Sequence, residues 1–301
     1  MKIAILGTNG FLSNCIAEYC NLNNHEIEMY GLEKPVGIKC LNYYNLNLTE
    51  NILDYSKLIK NDIIVYTIGA GIQSNLNEGF KLIYDLNVNA PIFISNKLKE
   101  IDYKGVFITF GSYYEIGENR EDKKYTEDML LMSTSPTQSH YSISKRLLSR
   151  FISSFNASFV NWHFILPTIY GEKEAPHRLI PYTINALKNN LPLNFTSGNQ
   201  VRQYIYVNEI PQIIFKSYKY KLISGIYNIE GTETLTVKEI VKIIFLKFGL
   251  EFPEELFGKT QRSDTGMQNL QLNVSKLYSI IEHNPEIKIL DVYDRYGNTF
   301  Q

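Results

Sequence analysis

Two residues four apart in the chain, Tyr141 and Lys145, have the side chains and the spacing for proton transfer. Residues four apart on a helix share one face, so the phenol and the ammonium can meet. A cation beside a phenol favours the phenolate and is expected to lower the tyrosine pKa. A tyrosine tuned in this way can exchange a proton with a substrate oxygen near neutral pH. The spacing alone is weak evidence, because Tyr30 and Lys34 repeat it, so the surrounding elements must decide.

A glycine turn near the N-terminus supplies part of that context. The short apolar run Lys2–Leu6 predicts a buried parallel strand, and a helical pattern begins after Gly10. Gly7 permits a tight turn, and Gly10 lets backbone amides approach a pyrophosphate at the helix N-terminus. Ser13 takes the third small position of the turn. The residues expected to line this dinucleotide site are Gly7, Asn9, Gly10, Phe11 and Leu12.

The elements that follow alternate between strand and helix. Strands are predicted over 26–30, 62–67 and 105–110, and helices over 80–100 and 178–190. This alternation predicts an α/β fold with a Rossmann-type doubly wound parallel sheet, whose ligand binds at the carboxyl ends of the strands. We assign the dinucleotide-binding domain to residues 1–166. A smaller C-terminal α/β substrate lobe is assigned to residues 167–301, with the chain crossing back to the sheet.

A serine, Ser112, is expected just past the end of the strand at 105–110. Its hydroxyl would lie in the same crevice as the glycine turn, where it can hydrogen-bond a substrate oxygen beside Tyr141. The charged residues of 121–128, between Ser112 and Tyr141, are interpreted as a solvated flap over the site.

Composition narrows the class of protein. A formal net charge of −1 over 301 residues argues against a general nucleic-acid binder. No apolar run has the length of a membrane span and no signal peptide is evident, so we expect a cytoplasmic enzyme with no membrane partner. The cysteines Cys15, Cys20 and Cys40 have no zinc or redox spacing, and no metal site is expected.

Through these motifs the chain resembles the extended short-chain dehydrogenase/reductase family, which contains nucleotide-sugar epimerases, dehydratases and reductases. The motifs are Gly7-x-x-Gly10-Phe11, Asn47-Leu48, residues 64–67, Asn87-Val88-Asn89, Ser112 and residues 141–145. The resemblance implies that Ser112 orients a substrate carbonyl, that Tyr141 donates the proton and that Lys145 holds the nicotinamide ribose. Further coenzyme contacts are implied for Asn47, Leu48, Ile68, Gly69 and Pro167.

The resemblance continues into the second half, through residues 166–171 and 198–209. It implies a nucleotide-diphosphate sugar as substrate, with a diphosphate clamped by arginines, whose guanidinium groups suit phosphate oxygens. A homodimer is implied through the helices at 80–100 and 141–155. The implied substrate contacts are Tyr113, Tyr114, Thr168, Arg178, Arg202 and Arg262.

The reaction is narrowed by departures from the family pattern. Tyr113 and Tyr114 stand where the 4,6-dehydratases of the family carry an acid pair. Tyr114 also stands where the 3,5-epimerase/reductases of the family carry a cysteine. Resemblance in the second lobe favours NAD(P)H-dependent reduction of a 4-keto-6-deoxy sugar nucleotide, as in O-antigen-type deoxysugar biosynthesis. A 4-epimerase is the alternative, and a non-catalytic regulator that senses a dinucleotide is a third possibility.

The choice of coenzyme depends on the residues after the second strand. A carboxylate there binds the ribose hydroxyls of NAD, whereas a cation accepts the 2′-phosphate of NADP. The usual acidic position falls at Gly31, and Glu33 and Lys34 follow with opposite signs. We expect NADP(H) in preference to NAD(H).

Overall fold

Apolar runs buried on both faces form the main parallel sheet. The computed structural model describes residues 1–50, 53–72, 77–137, 139–260 and 266–296, and this sheet has seven strands within them. Every pairing in the sheet is parallel. The strands, in spatial order, are β3 (Asn42–Asn45), β2 (Glu26–Gly31), β1 (Lys2–Leu6), β4 (Ile63–Tyr66), β5 (Val106–Ser112), β6 (Val160–Leu166) and β9 (Gly225–Asn228).

Alternate strand residues enter two different cores. Ile3 and Ile5 pack on one face of the sheet, whereas Ala4 and Leu6 pack on the other. Helices cover both faces, which is the doubly wound arrangement. They are α1 (Phe11–Leu22), α2 (Tyr55–Leu58), α3 (Phe80–Tyr84), α4 (Ala90–Glu100), α5 (Glu127–Leu131), α6 (His140–Ser154) and α8 (Glu209–Lys219).

A second, smaller sheet is built around β8 (Val201–Tyr206). β7 (Thr168–Tyr170) and β11 (Asn269–Leu270) pair with it in parallel, and β10 (Glu233–Thr236) pairs antiparallel. Beside this sheet lie α9 (Val237–Lys247), which contacts β10, and α7 (Leu179–Lys188), which contacts α9. α10 (Ser275–Ile281) contacts β9 and α8 instead, and α11 (Ile289–Tyr296) follows it in the chain.

The predicted α/β fold is confirmed, with differences at particular elements. β5 extends to Ser112, so this serine ends the strand instead of following it. The helix predicted over 80–100 is interrupted by a π-helical turn, Asp85–Asn89, between α3 and α4. The strand order 3-2-1-4-5-6 within the sheet brings the ends of β1, β4 and β5 to one crevice, as predicted.

The segment 121–128, which was interpreted as a solvated flap, is partly anchored to the rest of the structure. Tyr125 bridges to Leu272, and the buried Glu127 carboxylate accepts a hydrogen bond from the Asn228 amide at 2.8 Å. The interpretation was therefore wrong for Glu127, although Lys123 and Glu121 do form an exposed ion pair. None of the helices within the described ranges is long and apolar enough to cross a membrane.

Candidate active site

Ser112 begins the site at the carboxyl end of β5. It caps the short 3₁₀ helix Tyr113–Ile116, and its Oγ accepts a hydrogen bond from the Tyr114 amide at 3.3 Å. The Ser112 amide donates to Glu115 Oε1 at 2.8 Å, which completes a capping box. These bonds fix the serine hydroxyl in the crevice.

Tyr141 and Lys145 come from the first turns of α6, which crosses the same end of the sheet. The Tyr141 phenol lies beside the Ser112 side chain, which acts to lower the phenol pKa. Lys145 is buried, its Nζ donates to the Phe110 carbonyl at 2.8 Å, and it lies 5.7 Å from the centre of the Tyr141 ring. The structure therefore brings together the three residues predicted for catalysis.

Burial dominates the electrostatics of this group. It raises the pKa of the Tyr141 phenol, while the Ser112 side chain and the Arg178 charge act to lower it. The prediction that Lys145 would bring the Tyr141 pKa down was wrong in direction, because desolvation outweighs the neighbouring charges. Burial also lowers the pKa of Lys145 to about 8, and the Glu115 carboxylate opposes that change.

The glycine turn has the shape that a dinucleotide pyrophosphate needs. Gly7 has φ +127°, and a Cβ there would lie 2.3 Å from Thr67 Oγ1. Gly10 caps α1, and its amide donates to the Ser13 hydroxyl at 3.0 Å. The first turn of α1 carries no acidic residue, so its amide end is free of competing carboxylates. The turn therefore fits the coenzyme expected from its sequence.

The rim of this turn is formed by the loop after β2. The Asn9 side chain donates to the Lys34 carbonyl at 3.1 Å and thereby joins the loop to the glycine turn. A Cβ at Gly31 would lie 2.3 Å from Thr8 Oγ1, so this position has no room for an acidic side chain. The Glu33 and Lys34 side chains are both exposed at the rim.

The other predicted coenzyme residues occupy loops at the same end of the sheet. Ile68 and Gly69 follow β4, and Pro167 joins β6 to β7. Asn47 lies after β3, where its Oδ1 accepts a hydrogen bond from the Thr49 hydroxyl at 2.7 Å. The remaining ones, Leu48, Phe11 and Leu12, are partly buried against the two cores.

Asn87, in the π-helical turn, connects the loop after β4 to the catalytic helix. Its Oδ1 accepts from the Ala70 amide and its Nδ2 donates to the Ala70 carbonyl, both at 2.9 Å. The same Nδ2 donates to Ser144 Oγ at 2.9 Å, and Ser144 in turn donates to the Tyr141 carbonyl at 2.7 Å. One side chain thus couples the loop after β4 to the turn that carries Tyr141.

Aromatic residues line the side of the site that faces the second sheet. Tyr113 is buried, and its hydroxyl is hydrogen-bonded to Thr168 Oγ1. Tyr114 is half-buried and meets both Tyr113 and the Tyr141 ring edge to face, at 5.1 and 6.5 Å between ring centres. Tyr113 is therefore the buried residue on this side of the site, and Tyr114 is the one that contacts the Tyr141 ring.

The arginines predicted for the diphosphate differ in their surroundings. Arg178 forms an ion pair with the buried Glu174 at 2.9 Å and donates to the Ile169 carbonyl at 2.9 Å. Arg202 is buried, and its Nη1 donates to the Val201 carbonyl at 2.9 Å. Arg262 lies outside the described residues.

A model of the NAD dependent epimerase/dehydratase family matches residues 3–229. The chain belongs to this family.

Relatives of this chain have low sequence identity to it. The CDP-abequose synthase of Yersinia pseudotuberculosis is 24% identical over 258 residues, covering 81% of this chain and 83% of that protein. That of Salmonella muenchen is 33% identical over 81 residues, which is 26% of this chain and 28% of that protein. A putative UDP-glucose 4-epimerase of Methanocaldococcus jannaschii is 24% identical over 312 residues, covering 98% and 97%.

Solved structures agree on the fold of this family member. MoeE5 in complex with UDP-glucuronic acid and NAD superposes with a TM-score of 0.82 over 99% of this chain and 98% of that one, at 15% identity. At this identity the likeness concerns the fold alone.

Three polar residues of the site were not predicted from the sequence as site residues. Tyr204 is buried near the charges of Arg202 and Arg178, and Glu174 pairs with Arg178. Glu115 is buried beneath Ser112. Its sequence signal was the Ser-x-x-Glu spacing from Ser112, which is a capping-box pattern. No group of three or more metal-ligating side chains occurs in the part of the chain that the structure describes.

Proposed function

We propose that this family member reduces the 4-keto group of a nucleotide-diphosphate 4-keto-6-deoxy sugar with NAD(P)H, a step of deoxysugar biosynthesis. The observation that carries the proposal is the contact of the Tyr141 phenol with Ser112, with Lys145 one helical turn away. Two tyrosines follow Ser112, and the nearest carboxylate, Glu115, is buried and bonded to the Ser112 amide. This arrangement supplies a proton donor but leaves dehydration without its acid and base groups.

Ser112 and Tyr141 have different roles in the proposed ketone reduction. Ser112 orients the substrate oxygen by hydrogen bonding, and Tyr141 donates a proton to it. Because burial raises the Tyr141 pKa, the phenol is protonated at neutral pH, which is the form that a proton donor requires. A nicotinamide coenzyme bound at the glycine turn supplies the hydride.

Binding of the coenzyme is assigned to the glycine turn, the loops after β3 and β4, and Lys145. NADP(H) is proposed over NAD(H), because Gly31 leaves no space for a ribose-binding carboxylate and Lys34 is exposed at the rim. The substrate diphosphate is assigned to Arg202 and Arg178, with Tyr114 and Thr168 beside the sugar.

A nucleotide-sugar 4-epimerase is the second candidate. It is favoured by the match to the putative UDP-glucose 4-epimerase, which extends over 98% of this chain. An epimerase needs the same serine, tyrosine and lysine, since it oxidises and then reduces the same carbon.

One assay separates the two candidates. Purified protein is incubated with a panel of 4-keto-6-deoxy sugar nucleotides, and the absorbance of added NADPH or NADH at the reduced nicotinamide band is followed. A parallel incubation with UDP-sugars is analysed for isomerised product. Stoichiometric consumption of coenzyme supports the reductase, whereas an isomerised UDP-sugar without net consumption supports the epimerase.

The variant Tyr141→Phe serves as the control for chemistry. It removes the proton donor and keeps the ring, so turnover should fall by about 10²- to 10⁴-fold while coenzyme binding stays nearly unchanged. Retention of most activity by Tyr141→Phe would show that another group donates the proton.

A further inference from the structure

The carboxyl group of Glu115 is buried directly beneath the catalytic serine. Glu115 is 1% exposed, and its Oε1 accepts a hydrogen bond from the Ser112 amide at 2.8 Å. A Cβ at Gly111 would lie 2.5 Å from this Oε1 and 2.7 Å from His163 Nε2. The absence of a side chain at Gly111 is therefore what lets the Glu115 carboxyl and the His163 ring approach the end of β5.

The second carboxyl oxygen begins a chain of buried hydrogen bonds. Ser149 Oγ donates to Glu115 Oε2 at 2.6 Å and lies 2.9 Å from His163 Nε2. His163 Nδ1 lies 2.7 Å from Thr109 Oγ1. All four residues are at most 2% exposed, so water cannot replace these partners.

The donor and acceptor roles along these hydrogen bonds depend on the charge of Glu115. A serine hydroxyl has one proton, so when Ser149 donates to an ionised Glu115 its Oγ must accept from His163 Nε2–H. When Glu115 is protonated it donates to Ser149 instead, Ser149 donates to His163 Nε2, and the ring proton moves to Nδ1. Burial lowers the pKa of His163 to about 3, so the ring is neutral in both cases.

Cationic groups face Glu115 from α6. Lys145 and Arg146 both act to lower the Glu115 pKa, while burial raises it to about 7. Glu115 in turn raises the pKa of Lys145 and that of Tyr141. His163, on β6, is the titratable group that faces it from the sheet.

We propose that Glu115 is a positioning residue: its ionised carboxylate holds the turn that carries Ser112 and is the buried counter-charge for Lys145, whose Nζ is bound to the Phe110 carbonyl at the same end of β5. The inference rests on the proposed function, because it assigns a role within the same site. An ionised Glu115 and a cationic Lys145 then coexist in the neutral pH range, where the phenol of Tyr141 is also protonated.

The variant Glu115→Gln removes the negative charge of the Glu115 side chain while keeping its size and shape. Its carboxamide oxygen can accept from the Ser112 amide, and its Nε2 then donates to Ser149, so it reproduces the protonated form of Glu115. Glu121→Gln is the matched control, since it removes one carboxylate from an exposed ion pair with Lys123.

The kinetic readout is the pH profile of kcat/KM for the ketone reduction between pH 5.5 and 9.5. At the acid end, where wild-type Glu115 is protonated, Glu115→Gln should agree with wild type within about twofold. Above neutral pH its alkaline limb should lie about one pH unit lower, a loss of about tenfold, because Lys145 has lost an opposite charge. A merely structural defect would lower activity by the same factor at every pH, and that result would overturn the proposal.

A spectroscopic readout does not depend on any reaction. Side-chain ¹⁵N spectra of the histidines at pH 8, with His163 assigned from a His163→Gln variant, should show the Nε2–H tautomer in wild type and in Glu121→Gln. Glu115→Gln should show the Nδ1–H tautomer. The same tautomer in all three proteins would refute the ionised carboxylate, whereas a shifted tautomer in a protein that turns over no keto sugar would leave this inference standing and refute the proposed substrate.

Discussion

Replacing Asn87 with alanine tests how the coenzyme loop is coupled to the catalytic helix. The side chain is 1% exposed and makes three hydrogen bonds of 2.9 Å, two to the Ala70 backbone and one to Ser144. The Ser144 hydroxyl keeps its bond to the Tyr141 carbonyl in the variant, so two backbone groups lose their buried partner. At about 1–3 kcal/mol for each such group, Asn87→Ala should lower the free energy of unfolding by about 3 kcal/mol.

The loop after β4 should also bind the coenzyme less well. If the loop must be ordered again on binding, a penalty of about 1.4 kcal/mol raises the coenzyme Kd by about tenfold. Unfolding is followed by urea titration with the fluorescence of the buried Trp162, and the Kd by titration with NADPH and NADH.

The matched control for this experiment is Asn89→Ala. Asn89 lies in the same π-helical turn, but it is exposed and bonds the Asp85 carboxylate at 3.0 Å. It should cost less than about 1 kcal/mol and leave the coenzyme Kd unchanged. If the two variants have the same free energy of unfolding and the same Kd, the coupling through Asn87 is refuted.

Three further variants examine the coenzyme turn, the arginine clamp and the assembly. Gly7→Ala places a Cβ 2.3 Å from Thr67 Oγ1 at a backbone φ of +127°. Coenzyme binding measured by calorimetry should therefore be abolished, and a Kd within threefold of wild type would contradict the pyrophosphate assignment. Arg202→Lys keeps the positive charge but loses the paired N–H donors of the guanidinium group, so KM for the sugar nucleotide should rise about 10- to 100-fold with the coenzyme Kd unchanged. An equal rise in KM and in the coenzyme Kd would show that this residue does not bind the diphosphate. Phe93→Asp puts a charge on a side chain that is 57% exposed on α4, a helix that packs beside α6, and should convert the proposed homodimer into a monomer in light scattering; a monomeric wild type would refute the dimer.

The main sheet was predictable because its strands carry local signals. In β1, residues 3–6 are all apolar and buried, which is typical of strands covered on both faces, and the strand has the predicted bounds, Lys2–Leu6. The glycine turn was predictable for a similar reason, since strand, Gly-x-x-Gly and helix follow one another directly. Once these elements were placed, the topology brought Ser112 and Tyr141 together without any information about their side-chain contacts.

Features that depend on distant packing were not predictable. The π-helical turn at Asp85–Asn89 extends the spacing around Asn87, and its partner Ala70 is 17 residues away. The Glu115 network joins β5, α6 and β6, and no local pattern indicates that Gly111 leaves space for it. The anchoring of Glu127 by Asn228 likewise spans 101 residues.

The pKa of Tyr141 shows why a motif defines neighbours but not their energetics. Four-residue spacing on α6 does bring the Lys145 ammonium to 5.7 Å from the phenol ring, as helix geometry requires. The ammonium nevertheless donates to the Phe110 carbonyl, and the Glu115 carboxylate acts to raise the pKa of both Lys145 and Tyr141. Burial then acts on both groups in the direction that removes charge, raising the pKa of the tyrosine and lowering that of the lysine. The protonation states of Tyr141 and Lys145 are therefore governed mainly by burial, with a smaller contribution from the Glu115 carboxylate, and the Tyr-x-x-x-Lys spacing includes neither.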